Sequence, residues 1–202
     1  MTILNHQQKH GMLIFDEIFL RESINVNSQT LTYSGLEDFG GEFKGTGLKA
    51  NHGLVFLFQS LTVNFTQPIA VFTSKGPVKV LAQLVIKAIC LLERAGAIID
   101  GVVSDGATTN RKLWSQLGIS GEIGKITNAF QHPLDSKRRI YMLSDPPHLI
   151  KNVRNRLYNK KALRESPNVS YVRWSHYSPS RVCPKITQRH LALDNFSKMS
   201  VK

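Results

Sequence analysis

The sequence predicts an α/β fold built on a mixed β-sheet, and three observations support it. Apolar runs of strand length dominate the chain up to residue 73, and from residue 80 the apolar residues recur at helical spacing instead. Apolar runs and helical segments then alternate up to residue 157. This alternation is typical of strand–helix–strand units with parallel strands and right-handed connections. The expected order of the sheet is three strands, a helix, a strand, a helix, a strand and a helix (β-β-β-α-β-α-β-α), although four strand-like segments precede the first helix.

The first strand is predicted at residues 11–20, where GMLIFDEIFL forms a nearly continuous apolar run. A short alternating segment, residues 30–34, is expected to pair with it through a polar turn at residues 25–29. Residues 53–58 and 68–73 are rich in aromatic and β-branched side chains, which favours strands.

Pro77 is followed by apolar residues at helical spacing up to Leu92, and Gly96 is placed to end this helix. An apolar run at residues 97–103 predicts the next strand, which stops just before Asp105. A second helix is predicted from Thr108 to Leu117.

Residues 139–143 predict the last strand of the series. Asp145 then opens a third helix, with two prolines in its first turn. Its expected apolar face consists of Leu149, Ile150, Val153 and Leu157. The pattern weakens after Asn159, so the expected division is a leader at 1–10, a domain at 11–159 and the start of another domain at 160–202.

The charge of the chain is unevenly distributed. Of 202 residues, 26 are Lys or Arg and 14 are Asp or Glu, a net charge of +12. Residues 1–100 hold eight of each sign, so the whole excess lies in residues 101–202. Such asymmetry favours a polyanionic partner, most often nucleic acid, although a basic solvated surface is the alternative.

No apolar run is long enough to cross a membrane, and the two cysteines form no CxxC pair, which fits an intracellular protein.

Asp16 lies inside the apolar first strand. A carboxylate in such a place costs free energy unless a cation or a basic neighbour compensates its charge. Its neighbour Glu17 should point to the opposite face of the strand. Taken alone, Asp16 is therefore either a metal ligand or a structurally paired residue, and the structural interpretation is the commoner one.

Asp105 follows an apolar strand and precedes a glycine and a helix. The carboxyl end of a strand is the usual place of ligand binding in open α/β sheets, but an aspartate there can equally cap the helix. If the first strand and the strand at residues 97–103 are neighbours, Asp16 and Asp105 face each other across a gap that Mg²⁺ can bridge.

Asp145 and His148 lie three residues apart in the first turn of the third helix. They are interpreted either as an additional acid with its histidine or as a helix cap with a histidine packed behind it. The basic residues that follow them are expected to contact DNA phosphates or to form a solvated face. These residues are Lys151, Arg154, Arg156, Lys160 and Lys161.

Four stretches of the chain together resemble P-element-type transposases and their THAP-domain relatives. They are LIFDEIFLRE around Asp16, VVSDGATTNRKLWSQLGI around Asp105, SDPPHLIKNVRNRL around Asp145, and CPKITQRHLALDNFSKMSV near the end. The resemblance implies a ribonuclease-H-like catalytic domain in which an acidic triad and Mg²⁺ cleave DNA and transfer strands. Asp16 and Asp105 match the first two acids.

The same resemblance implies transposon ends and target DNA as partners, a nuclear location, and assembly into a homo-oligomer as one further expectation. It places the third acid, a glutamate, beyond a mostly helical GTP-binding insertion domain that would begin near residue 160. We therefore expect the chain to be incomplete, with most of the GTP site missing, and inactive alone.

Two other functions remain open. A domesticated remnant would keep the fold and bind DNA without cleaving it. An ordinary nucleotide-binding domain is disfavoured, because the glycine-rich run GGEFKGTGLK lacks the Gly-Lys-Ser/Thr arrangement of a phosphate loop.

Overall fold

The computed structural model describes residues 5–41, 43–76, 78, 80–164, 168 and 170–176. The chain divides into two compact units, Met1–Leu149 and Ile150–Lys202. In the described part of the first unit the strands are β1 (His10–Phe19), β2 (Asn25–Asn27), β3 (Thr32–Ser34), β4 (His52–Ser60), β5 (Thr66–Ser74), β6 (Ile98–Ser104), β7 (Ala129–Gln131) and β8 (Arg139–Ser144). The α-helices are α1 (Leu81–Arg94), α2 (Thr108–Gln116) and α3 (Pro146–Lys160), and a short 3₁₀ helix spans Gln7–Lys9.

Six of these strands form one mixed sheet in the spatial order β5-β4-β1-β6-β8-β7. The strand β4 runs antiparallel to β1, and β5 runs antiparallel to β4 at the edge of the sheet. On the other side, β6 and β8 run parallel to β1. The α/β class and the order of the main elements are therefore as predicted. The strand β7 is an addition that was not predicted, because three residues are too few to show a period.

The prediction that residues 30–34 pair with the first strand is wrong. Both edges of β1 are already occupied, by β4 on one side and β6 on the other. The segment instead pairs with β2, which occupies part of the predicted turn, in a separate two-stranded sheet. Every residue of β2 and β3 is exposed, so burial of one strand face does not determine their partner.

The core of the first unit lies between the sheet and the apolar face of α1. This helix buries Leu81, Leu84, Val85 and Ile89, and the same cluster contains Phe15 of β1 and Val102 of β6. Full burial of such a side chain contributes roughly 1.5–3 kcal/mol. Pro77, where the helix was predicted to begin, lies outside the described residues.

The predicted end of α1 at Gly96 is confirmed. Gly96 has φ +92°, a value that a residue without a side chain adopts readily. Its N–H donates to the carbonyl of Glu93 and the N–H of Ala97 donates to that of Leu92, both at 3.0 Å. This pair of hydrogen bonds is the Schellman arrangement, which satisfies carbonyl groups at the helix end.

Glu93, in the last turn of α1, connects the helix to the start of β6 and to the β7–β8 connection. Its carboxylate accepts the N–H of Ile99 at 2.7 Å and two hydrogen bonds from Arg138, at 2.9 and 3.0 Å. The buried His132 lies 3.1 Å away through Nε2. Burial acts to raise the pKa of Glu93, but the hydrogen bonds from Arg138, Ile99 and His132 outweigh it and the pKa is lowered.

In the second unit, β9 (Ala162–Leu163) pairs antiparallel with β10 (Val172–Arg173), and a 3₁₀ helix spans Trp174–His176. The Trp174 N–H donates to the carbonyl of Lys161 at 2.9 Å. Most of the predicted insertion domain at 160–202, including residues 177–202, lies outside the described residues, so that assignment stays a prediction. None of the helices in the described ranges is long and apolar enough to cross a membrane.

Candidate active site

Three aspartates lie at the same level of three neighbouring parallel strands. Ile14 of β1 pairs with Val103 of β6, and Val103 pairs with Leu143 of β8. Asp16, Asp105 and Asp145 each follow their member of this row by two residues. The hydrogen bonding between β6 and β8 continues up to the aspartates, because the Asp145 N–H donates to the Ser104 carbonyl at 2.9 Å.

Asp16 projects from the face of β1 that the core does not cover. Its neighbour Phe15 is fully buried, whereas Asp16 is exposed. The carboxylate oxygen Oδ1 accepts the Glu17 N–H at 2.8 Å. Glu17 itself points away, as the strand alternation predicts, because its carboxylate accepts the N–H of Val78 at 3.4 Å.

Several surrounding groups shift the pKa of the Asp16 carboxyl. Partial desolvation of the carboxyl by surrounding protein atoms raises its pKa, although the residue as a whole is exposed. The negative charges of Asp105 and Asp145 raise the pKa further, while the Glu17 N–H and a charge on His148 act in the opposite direction. Asp105, Asp145 and His148 thus lie close enough to Asp16, within the first unit, for their charges to act on its pKa.

Asp105 is held by two donors from the beginning of α2. Its Oδ1 accepts the Ala107 N–H at 2.9 Å and an amide hydrogen bond from Asn110 at 2.6 Å. The residue that caps α2 is Ala107, so Asp105 is not the helix cap that the sequence left open. The site therefore includes Asn110, which was not predicted from the sequence. The sequence feature that could have identified Asn110 is a polar residue one turn before Leu113, on the apolar face of the helix.

Asp145 precedes α3 and accepts the Leu149 N–H at its carbonyl, as a residue at a helix start does. Its side chain, however, bonds the ring nitrogen Nδ1 of His148. Pro146 and Pro147 have no N–H to offer, which leaves the carboxylate free to take the histidine ring. The two interpretations of Asp145, as an additional acid and as a structural residue, both remain predictions.

A complete metal site is not formed by these side chains alone. No group of three or more His, Cys, Asp or Glu side chains in the described part of the chain is arranged to hold a metal ion. Asp16 and Asp105 offer oxygen donors, which is the chemistry that Mg²⁺ prefers, and one or two carboxylates with waters and substrate phosphates form a typical Mg²⁺ shell.

The predicted basic residues belong to the second unit. Lys151, Arg156, Lys160 and Lys161 are exposed, whereas Arg154 is half-buried and donates to the side chain of Asn155. The Lys161 ammonium lies 4.0 Å from the centre of the Tyr158 ring. The predicted apolar face of α3 is largely uncovered, since only Leu157 is buried and Leu149, Ile150 and Val153 are exposed.

Comparisons with known proteins agree with this architecture. The family model of the TNP-like, RNase H N-terminal domain matches residues 2–118, a range that contains Asp16 and Asp105. The Transposable element P transposase of Drosophila melanogaster is 34% identical over 117 residues, which are 55% of this chain and 15% of that relative. The chain thus spans about 15% of the length of the curated relative that it matches.

A solved structure shows the same fold. The Drosophila P element transposase strand transfer complex matches with a TM-score of 0.66 and 24% identity, over 86% of this chain and 34% of that one. This likeness identifies the mixed sheet as ribonuclease-H-like. Because the family model covers more than half of its residues, the chain belongs to the TNP-like RNase H N-terminal domain family and is of the P-element transposase type.

Proposed function

We propose that this chain supplies Asp16 and Asp105 as the first two carboxylates of a Mg²⁺-dependent DNA cleavage and strand-transfer site. One observation carries the proposal. Asp16 lies within β1 and Asp105 directly follows the adjacent parallel strand β6, each two positions beyond the pair Ile14–Val103, and the charge of Asp105 raises the pKa of Asp16.

The donor set fits a divalent cation in part. Carboxylates that repel one another at the surface of a sheet gain from a cation between them, because the cation offsets both the repulsion and the desolvation. Within the described ranges fewer than three ligands are arranged around any one point, so substrate and further protein groups would complete the shell. When bound, the metal would activate the attacking oxygen and stabilise the leaving one.

The residues of this chain hold the site in place. The strands β1 and β6 are parallel neighbours, and their pairing fixes the spacing between Asp16 on one strand and Asp105 after the other. The donors from Ala107 and Asn110 restrict how Asp105 can turn. Asp145 and His148 form a hydrogen-bonded pair one strand beyond Asp105, and their charges act on the pKa of Asp16 in opposite directions.

DNA is the proposed partner, and the nucleus is the proposed location because the substrate is there. The charge excess lies wholly in residues 101–202, and four basic residues in or directly after α3 are exposed. Such side chains bind phosphates without reading sequence. The GTP-binding expected from the resemblance belongs in this proposal to the insertion domain after residue 160, and no described residue is assigned to it.

The test is strand cleavage by a full-length relative that carries these residues. Asp16→Asn and Asp105→Asn, made at the matching positions, should each abolish Mg²⁺-dependent cleavage while circular dichroism and DNA binding stay unchanged. Glu17→Gln is the matched control, since it removes the next carboxylate along β1 from the opposite face and should leave cleavage intact. Normal cleavage by either aspartate variant would contradict the assignment.

A second candidate is a DNA-binding remnant without cleavage activity, which the basic second half of the chain favours. It predicts that the 202-residue chain binds DNA in a salt-sensitive manner and that Mg²⁺ produces no nicks in a supercoiled plasmid. Nicking that disappears with Asp16→Asn would instead favour the enzyme.

A further inference from the structure

The amide side chain of Asn110 is the least expected feature of the site. Asn110 lies in the first turn of α2 and is only 4% exposed. Its Nδ2 donates to Asp105 Oδ1 at 2.6 Å and to the Asp105 backbone carbonyl at 3.3 Å. The amide therefore contacts both the main chain and the carboxylate of one residue.

These bonds orient the Asp105 carboxylate. Asp105 Oδ1 accepts hydrogen bonds from the Asn110 amide at 2.6 Å and from the Ala107 N–H at 2.9 Å. Rotation of the side chain would break both bonds. The second oxygen, Oδ2, is then the one presented for other partners, and its direction is fixed by donors that belong to α2.

Packing alone does not explain an asparagine here. In the described part of the chain, the other end of the amide, Oδ1 of Asn110, is buried without a hydrogen-bond partner. The opposite amide orientation would place this oxygen against the carboxylate, so the contact with Asp105 determines the orientation. A buried acceptor without a donor destabilises a fold, whereas leucine has a similar branched shape and no such cost. Leu113, three residues later, shows that the same helix buries leucine readily.

We propose that Asn110 is a positioning residue, which holds Asp105 so that Oδ2 points to a divalent cation. The inference rests on the proposed function, since it takes Asp105 as a metal ligand. Donors in the layer behind a metal ligand orient it, and their loss typically weakens metal binding by about 10- to 100-fold. Asn110 thus orients the Asp105 carboxylate, while its own unsatisfied Oδ1 lowers the stability of the fold.

The experiment measures Mn²⁺ binding and thermal unfolding of the 202-residue chain. Mn²⁺ broadens nearby amide NMR signals even when it binds weakly, so saturable broadening of the Gly106 and Ala107 signals gives an apparent Kd. In Asn110→Leu we expect the Kd to rise by about tenfold or more. We expect the Tm to stay the same or to increase, which a purely structural role would not produce.

Two further variants separate the possible failures. Leu113→Val, on the same helix, should lower the Tm and leave the Kd unchanged, and Asp105→Asn should remove the local broadening. If Asn110→Leu keeps the wild-type Kd while Asp105→Asn loses binding, the positioning role is overturned and the metal role stands. If Asp105→Asn binds Mn²⁺ like the wild type, or the wild type shows no local broadening, the proposed function fails as well.

A loss of Tm in Asn110→Leu that accompanies the loss of binding would also overturn the positioning role. Should Asn110→Leu not fold, Asn110→Ser answers the same question, because serine is too short to reach the Asp105 carboxylate. It should weaken Mn²⁺ binding to the same extent, and wild-type affinity in that variant would contradict the proposal.

Discussion

Arg138 binds Glu93 with both terminal nitrogens of its guanidinium, Nη1 to Oε2 at 2.9 Å and Nη2 to Oε1 at 3.0 Å. The pair joins the end of α1 to the connection between β7 and β8. Its planar geometry is the strong form of an ion pair, and the Glu93 side chain is largely shielded from water. This contact anchors the end of the sheet opposite the aspartates.

The pair predicts a specific dependence of stability on pH. The folded-state pKa of Glu93 lies below its ordinary value of 4.5, so the folded protein binds the proton less readily than the unfolded chain does. The stabilisation is therefore complete above pH 4.5 and is lost as the pH falls through the lowered folded-state pKa. Urea unfolding should show that the wild type loses more stability than Glu93→Gln between about pH 5 and pH 3.

At pH 7, Glu93→Gln and Arg138→Met should each reduce the free energy of unfolding by roughly 1.5–3 kcal/mol, the range for hydrogen bonds to charged groups. Parallel pH curves for the wild type and Glu93→Gln would contradict this account of the pair.

Asp16 should reduce the stability of the metal-free protein. Its pKa is raised by partial desolvation and by the charges of Asp105 and Asp145, so its ionised form is unfavourable in the folded state at neutral pH. Asp16→Asn should therefore raise the Tm in metal-free buffer at pH 7. The gain should be below about 2–4 °C, which corresponds to roughly 1 kcal/mol in a chain of this size, because solvent screens the exposed part of the carboxylate. A lower Tm than that of the wild type, measured by differential scanning calorimetry, would show that Asp16 is a stabilising residue.

Gly101 allows β6 to approach both of its neighbours closely. A Cβ atom at this position would lie 2.5 Å from Met12 Cε and 2.8 Å from the carbonyl oxygen of Tyr141. The methionine can move, but the backbone of β8 cannot, so Gly101→Ala should destabilise the fold by about 1–3 kcal/mol. Gly121→Ala is the control, since a Cβ there meets nothing within 4 Å. Equal urea midpoints for the two variants would contradict the close packing.

Binding to DNA should depend on the exposed lysines of α3. Removing one side chain that neutralises a phosphate reduces the slope of log K against log salt concentration by about 0.9 for duplex DNA. Lys151→Ala and Lys160→Ala should therefore weaken binding and flatten the slope by about that amount each. Lys44→Ala removes an exposed charge from the balanced first half and should change neither quantity. Equal slopes for all three variants would exclude this surface as the DNA-binding surface.

The sequence predicted those parts of the fold whose burial leaves a period. The apolar stretches that became β1, β4, β6 and α1 each show a buried face, and their order was correct. The pairing of the 25–34 hairpin was predicted wrongly because its residues are all exposed, so no face marks the partner.

The site shows the same division. Asp16 and Asp105 could be proposed as neighbours because each stands out from an apolar strand and the strands were expected to adjoin. The alignment of both with Asp145 could not be predicted, since it depends on the register of β6 and β8, which hydrogen bonds and side-chain packing determine. Asn110 was missed because its role depends on a turn that brings α2 back over Asp105.

The unsatisfied oxygen of Asn110 has a consequence for the evolution of this domain. The predicted Tm changes imply that an apolar residue of similar shape at Asn110, or an uncharged one at Asp16, is tolerated by the fold once cleavage no longer matters. The fold of this domain can therefore persist in evolution after the residues of the candidate site have been lost. A lineage under selection for folding alone would therefore be expected to lose these two polar residues early.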